Sequence, residues 1–317
     1  MTPTRLVRSA LALAGACLCL GANAQTSIGL AGYTLTGNYT LDTLGGLGLE
    51  ASAVTFARDR GTLFFVGDEG QGVVEVSLTG TTIGSMAFSA WPAASSNNDA
   101  EGLAYLGNGL LVVAEERLQD AFLFSYSAGG SVNLALTPSV NLGPTVGNVG
   151  IEGIAVDPRD GMLFAVKQDN PAQLRGGLAS FSVGGGSFSE SISFSGATAL
   201  FGLNSLSDIS TLGGVDALAG SAAANNLLVL SLDSRRLIEI DRLGNTLSSL
   251  DLGGLTPQAI EGVTIDDKGT IYLVAEDSGT PNSRLLVLSP IPEPETYALM
   301  LAGLAVVGGV VRRRKAA

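Results

Sequence analysis

With 317 residues, a formal net charge of −12 and no histidine, the chain lacks the commonest general base and the commonest transition-metal ligand. Its two cysteines, Cys17 and Cys19, fall in the first 24 residues, so the rest of the chain carries no disulfide, thiol nucleophile or cysteine metal site. Between Gln25 and Pro290, 27 acidic residues stand against 11 basic ones, a balance that argues against a nucleic-acid partner and suits cations or basic ligands.

Residues 1–24 read as a secretory signal peptide. Arg5 and Arg8 give a positive start, Leu6–Leu20 is almost wholly apolar, and Ala22-Asn23-Ala24 supplies the small-x-small cleavage pattern before Gln25. Lipoprotein processing at Cys17 is the lesser alternative, because Ala14-Gly15-Ala16 makes a poor lipobox.

Residues 25–290 repeat. Acidic starts recur at Glu50, Glu101-Gly102, Glu152-Gly153 and Glu261-Gly262; the first two intervals are 51 residues each, and the 109 residues from Glu152 to Glu261 hold two units, with Asp208 in the acidic place of the missing start. After each start a Gly/Asp turn leads to a second apolar run, at Thr62–Val66, Leu110–Ala114, Met162–Val166, Leu227–Leu230 and Thr270–Ala275. Runs of four to six apolar residues between such turns read as strands. Third strands are expected at Gly72–Leu78, Ala121–Tyr126, Gly177–Val183, Arg236–Ile240 and Arg284–Leu288, and Ser182–Gly196 as a loose outer strand or loop. About 50 residues per unit with four short strands predicts an all-β fold, a β-propeller of five blades of four strands. A four- or six-blade ring with one irregular unit is the alternative. Gly37–Asp42 echoes Gly244–Ser249, a fourth strand, while the last unit lacks one; the N-terminal strand is therefore expected to complete the final blade and close the ring.

With the first strand of each blade innermost, Glu50, Glu101, Glu152, Asp208 and Glu261 surround one mouth of the central channel. The second strands end beside them, bringing Asp68, Glu69, Glu115, Glu116, Arg117, Lys167, Asp233 and Glu276 to the same face. Like charges so placed must be protonated, paired with Arg117 and Lys167, or neutralised by a cation. Oxygen ligands without nitrogen or sulfur suit Ca²⁺ or Mg²⁺. Two readings of the crown stand: a metal or cationic-ligand site, or glutamates that open each strand and bond backbone amides between blades. Asp157, Asp160, Asp266 and Asp267 read as turn residues.

The end of the chain, 291–317, is tripartite: Pro292-Glu293-Pro294, the uncharged apolar run Tyr297–Val311, then Arg312, Arg313, Arg314 and Lys315. A helix of that run reaches roughly 22 Å at about 1.5 Å per residue, short of a hydrocarbon core of about 30 Å, yet able to insert if the arginines snorkel. A basic flank that stays cytoplasmic puts the propeller outside. These three features resemble the PEP-CTERM sorting signal of Gram-negative bacteria. The resemblance implies processing near Pro292-Glu293-Pro294 by an exosortase, at least transient attachment to the inner membrane, and hosts that make exopolysaccharide and biofilm. An ordinary C-terminal anchor gives the same topology.

The repeats resemble the SdiA-regulated family of envelope propellers. The matching pieces are Glu101–Tyr105 then Glu115-Glu116-Arg117; Glu152–Asp157 then Lys167; Leu227–Leu237; and Glu261–Asp266 then Ile271–Glu276. That resemblance implies a five-bladed propeller, a calcium site, distant kinship to NHL repeats and no established activity. The chain departs from it at Lys167-Gln168, where Lys-Glu is expected, and at Glu50-Ala51, where a Ser/Glu-Gly start is expected, which leaves the number of metal ligands open. The function expected from the sequence is a non-catalytic binding or scaffold protein of the envelope or matrix, with Ca²⁺ at the channel mouth and exopolysaccharide or envelope proteins as partners. The alternative is a calcium-dependent hydrolase of phosphate or lactone esters resembling the phytase-like propellers, using metal-bound water and a carboxylate base. Against it, only Arg117, Lys167 and any bound metal would meet an anionic substrate.

Overall fold

A computed structural model of the chain describes residues 25–277 and 282–291. The signal segment lies outside the described residues, as does the tail with Pro292, Glu293, Pro294, Arg312, Arg313 and Arg314. The described residues form five antiparallel blades. The inner strands are Ala51–Ala57, Ala100–Gly107, Ile151–Val156, Asp208–Thr211 and Ile260–Ile265, for blades 1 to 5. Each packs beside the next, and the fifth packs beside the first, so the ring is closed.

Why both faces of every blade are apolar follows from the two-residue period of a strand. In Thr62–Gly67, Leu63 and Phe65 point into the cleft with blade 5, while Phe64 and Val66 point into the cleft with blade 2. A sheet buried on both faces must be apolar at successive positions, which is why these runs do not alternate. The core is accordingly five layers, one in each cleft between neighbouring blades. The layer between blades 1 and 2 is the most aromatic, with Phe88 edge-on to both Trp91 and Phe124.

The N-terminal strand Tyr33–Thr40 pairs with Arg284–Pro290, from Tyr33 opposite Pro290 to Thr40 opposite Arg284, and so completes blade 5. The chain before it is strapped onto blade 4. Buried Glu239 accepts hydrogen bonds from Ser27 Oγ, Ile28 N (3.0 Å), Asn226 Nδ2 (2.7 Å) and Ser248 Oγ (2.8 Å). Ring closure therefore spans two blades.

Three details differ from the sequence reading. The third strand of blade 3 is Gln173–Ser180, beginning four residues before Gly177; Gly176-Gly177 lies inside it, opposite a bulge at Ser191 of the outer strand. Ser187–Ser195 is a regular outer strand, its Phe188, Ile192 and Phe194 half-buried at alternating positions with a one-residue shift. Blade 2 keeps only a short outer strand, Ser139–Asn141, because Ser131–Asn133 has left to pair in parallel with the outer strand of blade 1.

Candidate functional site

The inner strands all run from one mouth of the channel to the turns at the opposite face. At the mouth, four of the five start with a bulge. The register slips between Ala51 and Ala53, Ala100 and Gly102, Ile151 and Gly153, and Ile260 and Gly262. The extra residue is Ser52, Glu101, Glu152 or Glu261. A bulged residue is released from the ladder and its side chain re-aimed. Glu101 of blade 2 and Glu152 of blade 3 both feel the charge of Glu261 from non-adjacent blade 5, so the three carboxylates face one another across the channel. The residue after each bulge packs against the next inner strand. A Cβ at Gly153 would lie 2.5 Å from Asp208 Cα, and one at Gly262 would lie 2.8 Å from Ser52 O. The repeated Glu-Gly is therefore one device: glutamate aimed into the channel, glycine letting the strands close around it.

The electrostatics are those of crowded, half-buried acids. Burial first, then the charges of Glu261, Asp68, Glu116 and Asp99, pushes Glu101 well above the usual carboxylate range. Glu152 is raised likewise, by burial, by Glu101 and Glu116, and by a hydrogen bond shared with Glu116. Glu261 is pushed up to about 8 by burial and by Glu276 and Asp68, although the Ser52 hydroxyl bonds its charged form. Asp68 is pushed up to about 7 by burial and by Glu50, with which it shares a proton. Glu116 is raised by burial despite a hydrogen bond from Gly150 N (3.1 Å). The mouth thus holds Glu101, Glu152, Glu261, Glu50, Asp68, Glu116 and Glu276 in mutual electrostatic reach.

The remaining predicted residues go elsewhere. Asp208 sits one place after the bulge position, which in blade 4 is held by Ser207. Its buried carboxylate accepts from Ile209 N (2.8 Å) and Val263 N (2.7 Å) and clasps the inner strands of blades 4 and 5 together. Glu50 precedes its strand, with a left-handed φ of 50°, and meets the mouth from outside the ladder, bonded to Asp68 and felt by Glu261. The repeat start of blade 1 is Ser52-Ala53, not Glu50-Ala51. Glu115 is buried at the end of the strand Leu110–Glu115, accepting from Ser95 Oγ (2.6 Å) and Leu118 N. Glu69 and Asp233 are exposed. Arg117 pairs with Asp99 at 2.6 Å and with Glu116 at 4.0 Å. Lys167 is buried, which lowers its pKa, and its ammonium donates to the carbonyls of Asp169 and Pro171. Of the turn residues, Asp157 does more than turn the chain: buried, it holds Arg159 at 2.6 Å and Arg242 of blade 4 at 2.5 Å.

The sequence reading placed acids around one mouth of the central channel but missed what lines its other end. Three residues after each bulge position the inner strands carry Thr55, Ala104, Ala155, Ser210 and Thr264. None is large enough to fill the axis, and a cavity of about 630 Å³ opens there toward the turn face, rimmed by Arg58, Asp59, Asp157 and Asp267. The spacing that reveals it is regular but concerns small residues, which a search for acids passes over.

As positioned, no group of three acidic side chains among the described residues lies close enough to hold a metal ion. Among the described residues, no helix is long and apolar enough to cross a membrane.

The SdiA-regulated family model matches residues 26–282, and the PEP-CTERM protein-sorting motif matches residues 290–315. Similar solved structures include the β-propeller domain of Cps50 (Swd1) from Myceliophteria thermophila, 14% identical over 77% of this chain and 66% of that one, TM-score 0.38. Another is hydrazine synthase of Kuenenia stuttgartiensis, 13% identical over 71% of this chain and 55% of that one, TM-score 0.40. A third is a catalytically inactive virginiamycin B lyase from Staphylococcus aureus with quinupristin, 12% identical over 75% of this chain and 66% of that one, TM-score 0.41. The chain thus spans between 55% and 66% of the length of these three. With its family model matched over residues 26–282, well over half of the chain, and a C-terminal sorting motif matched as well, the chain belongs to the SdiA-regulated family.

Proposed function

We propose that this is an exported, non-catalytic binding propeller whose acidic mouth takes a hard divalent cation, calcium by the chemistry of its donors. One observation carries the reading: three bulge glutamates on blades 2, 3 and 5 are aimed at one another across a half-buried mouth, where burial and mutual repulsion oppose their ionising together. All the donors there are oxygens, which suits Ca²⁺ or Mg²⁺ over softer metals. Glu101, Glu152 and Glu261 would hold the ion, with Asp68 and Glu116 behind them. Because no three acids stand at ligating distance as positioned, binding requires their flexible side chains to converge. In this reading the cation neutralises the mouth and makes it a docking point for an envelope protein or exopolysaccharide. The PEP-CTERM motif supports delivery to the envelope and an exosortase-type enzyme as processing partner.

The test is equilibrium dialysis with ⁴⁵Ca²⁺ of the protein comprising residues 25–291. Saturable binding that magnesium displaces poorly, and that is lost in Glu101→Gln/Glu152→Gln/Glu261→Gln, is expected. No binding at millimolar calcium sinks the cation site. Turnover of phosphate or lactone esters by the calcium-loaded protein would replace the binding reading with a hydrolase.

A further inference from the structure

The chain joins its targeting segments at one face only. Arg284–Pro290 runs away from the acidic mouth, since Arg284 pairs with Ala275 beside the mouth and Leu288 pairs with Ile271 at the turns. Ile291, whose N–H donates to Gly32 O (2.7 Å), therefore leaves the propeller at the turn face. The other end arrives there too. Gln25 O accepts from Ala223 N, and Thr26 O from Asn226 Nδ2, both in the loop that joins the first two strands of blade 4.

The connection to the apolar tail segment is short. Only residues 291–296 separate the last strand from Tyr297, and two of them are Pro292 and Pro294. Six residues span at most about 20 Å. The seven-residue strand Arg284–Pro290 is itself about 23 Å tall at about 3.3 Å per residue. The tail therefore cannot run back along the blade and leave the acidic mouth against the bilayer.

The turn face is also the one fit for a lipid surface. Four blades each end there in an exposed apolar residue: Leu106 (38%), Val183 (72%), Leu243 (81%) and Ile291 (56%). The charges in the turns of this face are largely paired, Arg58 with Asp216, Arg60 with Glu75, and Arg159 and Arg242 with Asp157, so the exposed apolar residues, not a basic patch, are what it offers a lipid surface.

We infer that, while its tail is in the membrane, the propeller stands on the lipid surface on its turn face, with the channel cavity opening toward the headgroups and the acidic mouth directed away. This placement does not depend on whether the mouth binds a cation. It also bears on where a sorting enzyme works, because Pro292-Glu293-Pro294 follows directly in sequence on Ile291, which leaves at the turn face.

The test uses the full chain in vesicles containing anionic phospholipid. After signal removal the chain contains no cysteine, so single cysteines report cleanly. Val183→Cys and Leu243→Cys mark the turn face, and Glu69→Cys and Asp233→Cys mark the acidic face; all four sites are exposed. Each is labelled with bimane, and quenching by nitroxide-labelled lipid is measured. Labels at 183 and 243 should be quenched several-fold more strongly than those at 69 and 233. Equal quenching at the two faces, or stronger quenching at 69 and 233, overturns the placement. Two sites per face keep the comparison intact if one variant misfolds.

Discussion

A crowded acidic mouth should make the metal-free protein behave opposite to an ordinary acidic protein: it should lose stability as pH rises through neutrality. Glu261 faces Glu276, Asp68, Glu50 and the Ser52 hydroxyl, and sits at about 8 in the folded protein against 4.5 ordinarily. A carboxyl whose folded pKa is raised stabilises fully below its unfolded pKa, and that contribution is lost as pH climbs through the folded one. At about 1.4 kcal/mol per pH unit, this one proton is worth roughly 5 kcal/mol, present below about pH 4.5 and gone above about pH 8. Asp68, raised to about 7, acts over the same window, but it shares its proton with Glu50 and does not simply add. Asp59, Asp160 and Asp241 have lowered pKa values and act in the opposite sense, below about pH 4, outside that window. For a domain of this size, roughly 2–4 °C of Tm accompanies each kcal/mol, so Tm should fall by roughly 10–20 °C between pH 5 and pH 8.5. The assay is thermal unfolding of residues 25–291 by circular dichroism across that range in EDTA, beside Glu261→Gln, which mimics the protonated acid. Glu261→Gln should flatten the slope and raise Tm at pH 8.5. Millimolar calcium should do the same in the unaltered protein by replacing the protons, adding about 2.7 kcal/mol at a hundredfold excess over Kd. A stability that rises from pH 5 to pH 8.5 in EDTA, or a slope unchanged by Glu261→Gln, refutes the electrostatic account of the mouth.

Further expectations concern the ring and its tether. Gly153→Ala drives a Cβ into the backbone of Asp208 and should cost about 1–3 kcal/mol in urea unfolding, because backbone on both sides resists the shift. Glu239→Ala removes the acceptor that holds Ser27 and Ile28; charged hydrogen bonds contribute about 1.5–3 kcal/mol each, and amide exchange should accelerate first in residues 26–30. Deleting Tyr297–Lys315 should move the protein from the membrane fraction to the soluble one after fractionation, and retention in the membrane would show that the tail is not the anchor.

The ring was legible because its physics is written as a period. Blades buried on both faces need uninterrupted short apolar runs such as Leu63–Val66, and turns at fixed distance reveal how many there are. Ring closure was legible for a related reason: Arg284–Leu288 lacked an outer partner, and Gly37–Asp42 had no blade of its own. What the sequence hid was register. An alignment by acidic letter put Glu50 and Asp208 in the crown, but a bulge is defined by its partner strand. By pairing, the equivalent residues in blades 1 and 4 are Ser52 and Ser207. Both hydroxyls accept from the local backbone, Ser52 Oγ from Asp68 N (3.3 Å) and Ser207 Oγ from Leu232 N (2.9 Å). The crown is therefore not fivefold. Three glutamates and two serines make a lopsided set of bulge positions. Blade 1 adds Asp68 and Glu50 from the chain beside its serine, while at blade 4 Asp208 is tied up between strands. That asymmetry is set by which residue each bulge releases, and it is invisible to any reading that treats the repeats as equal.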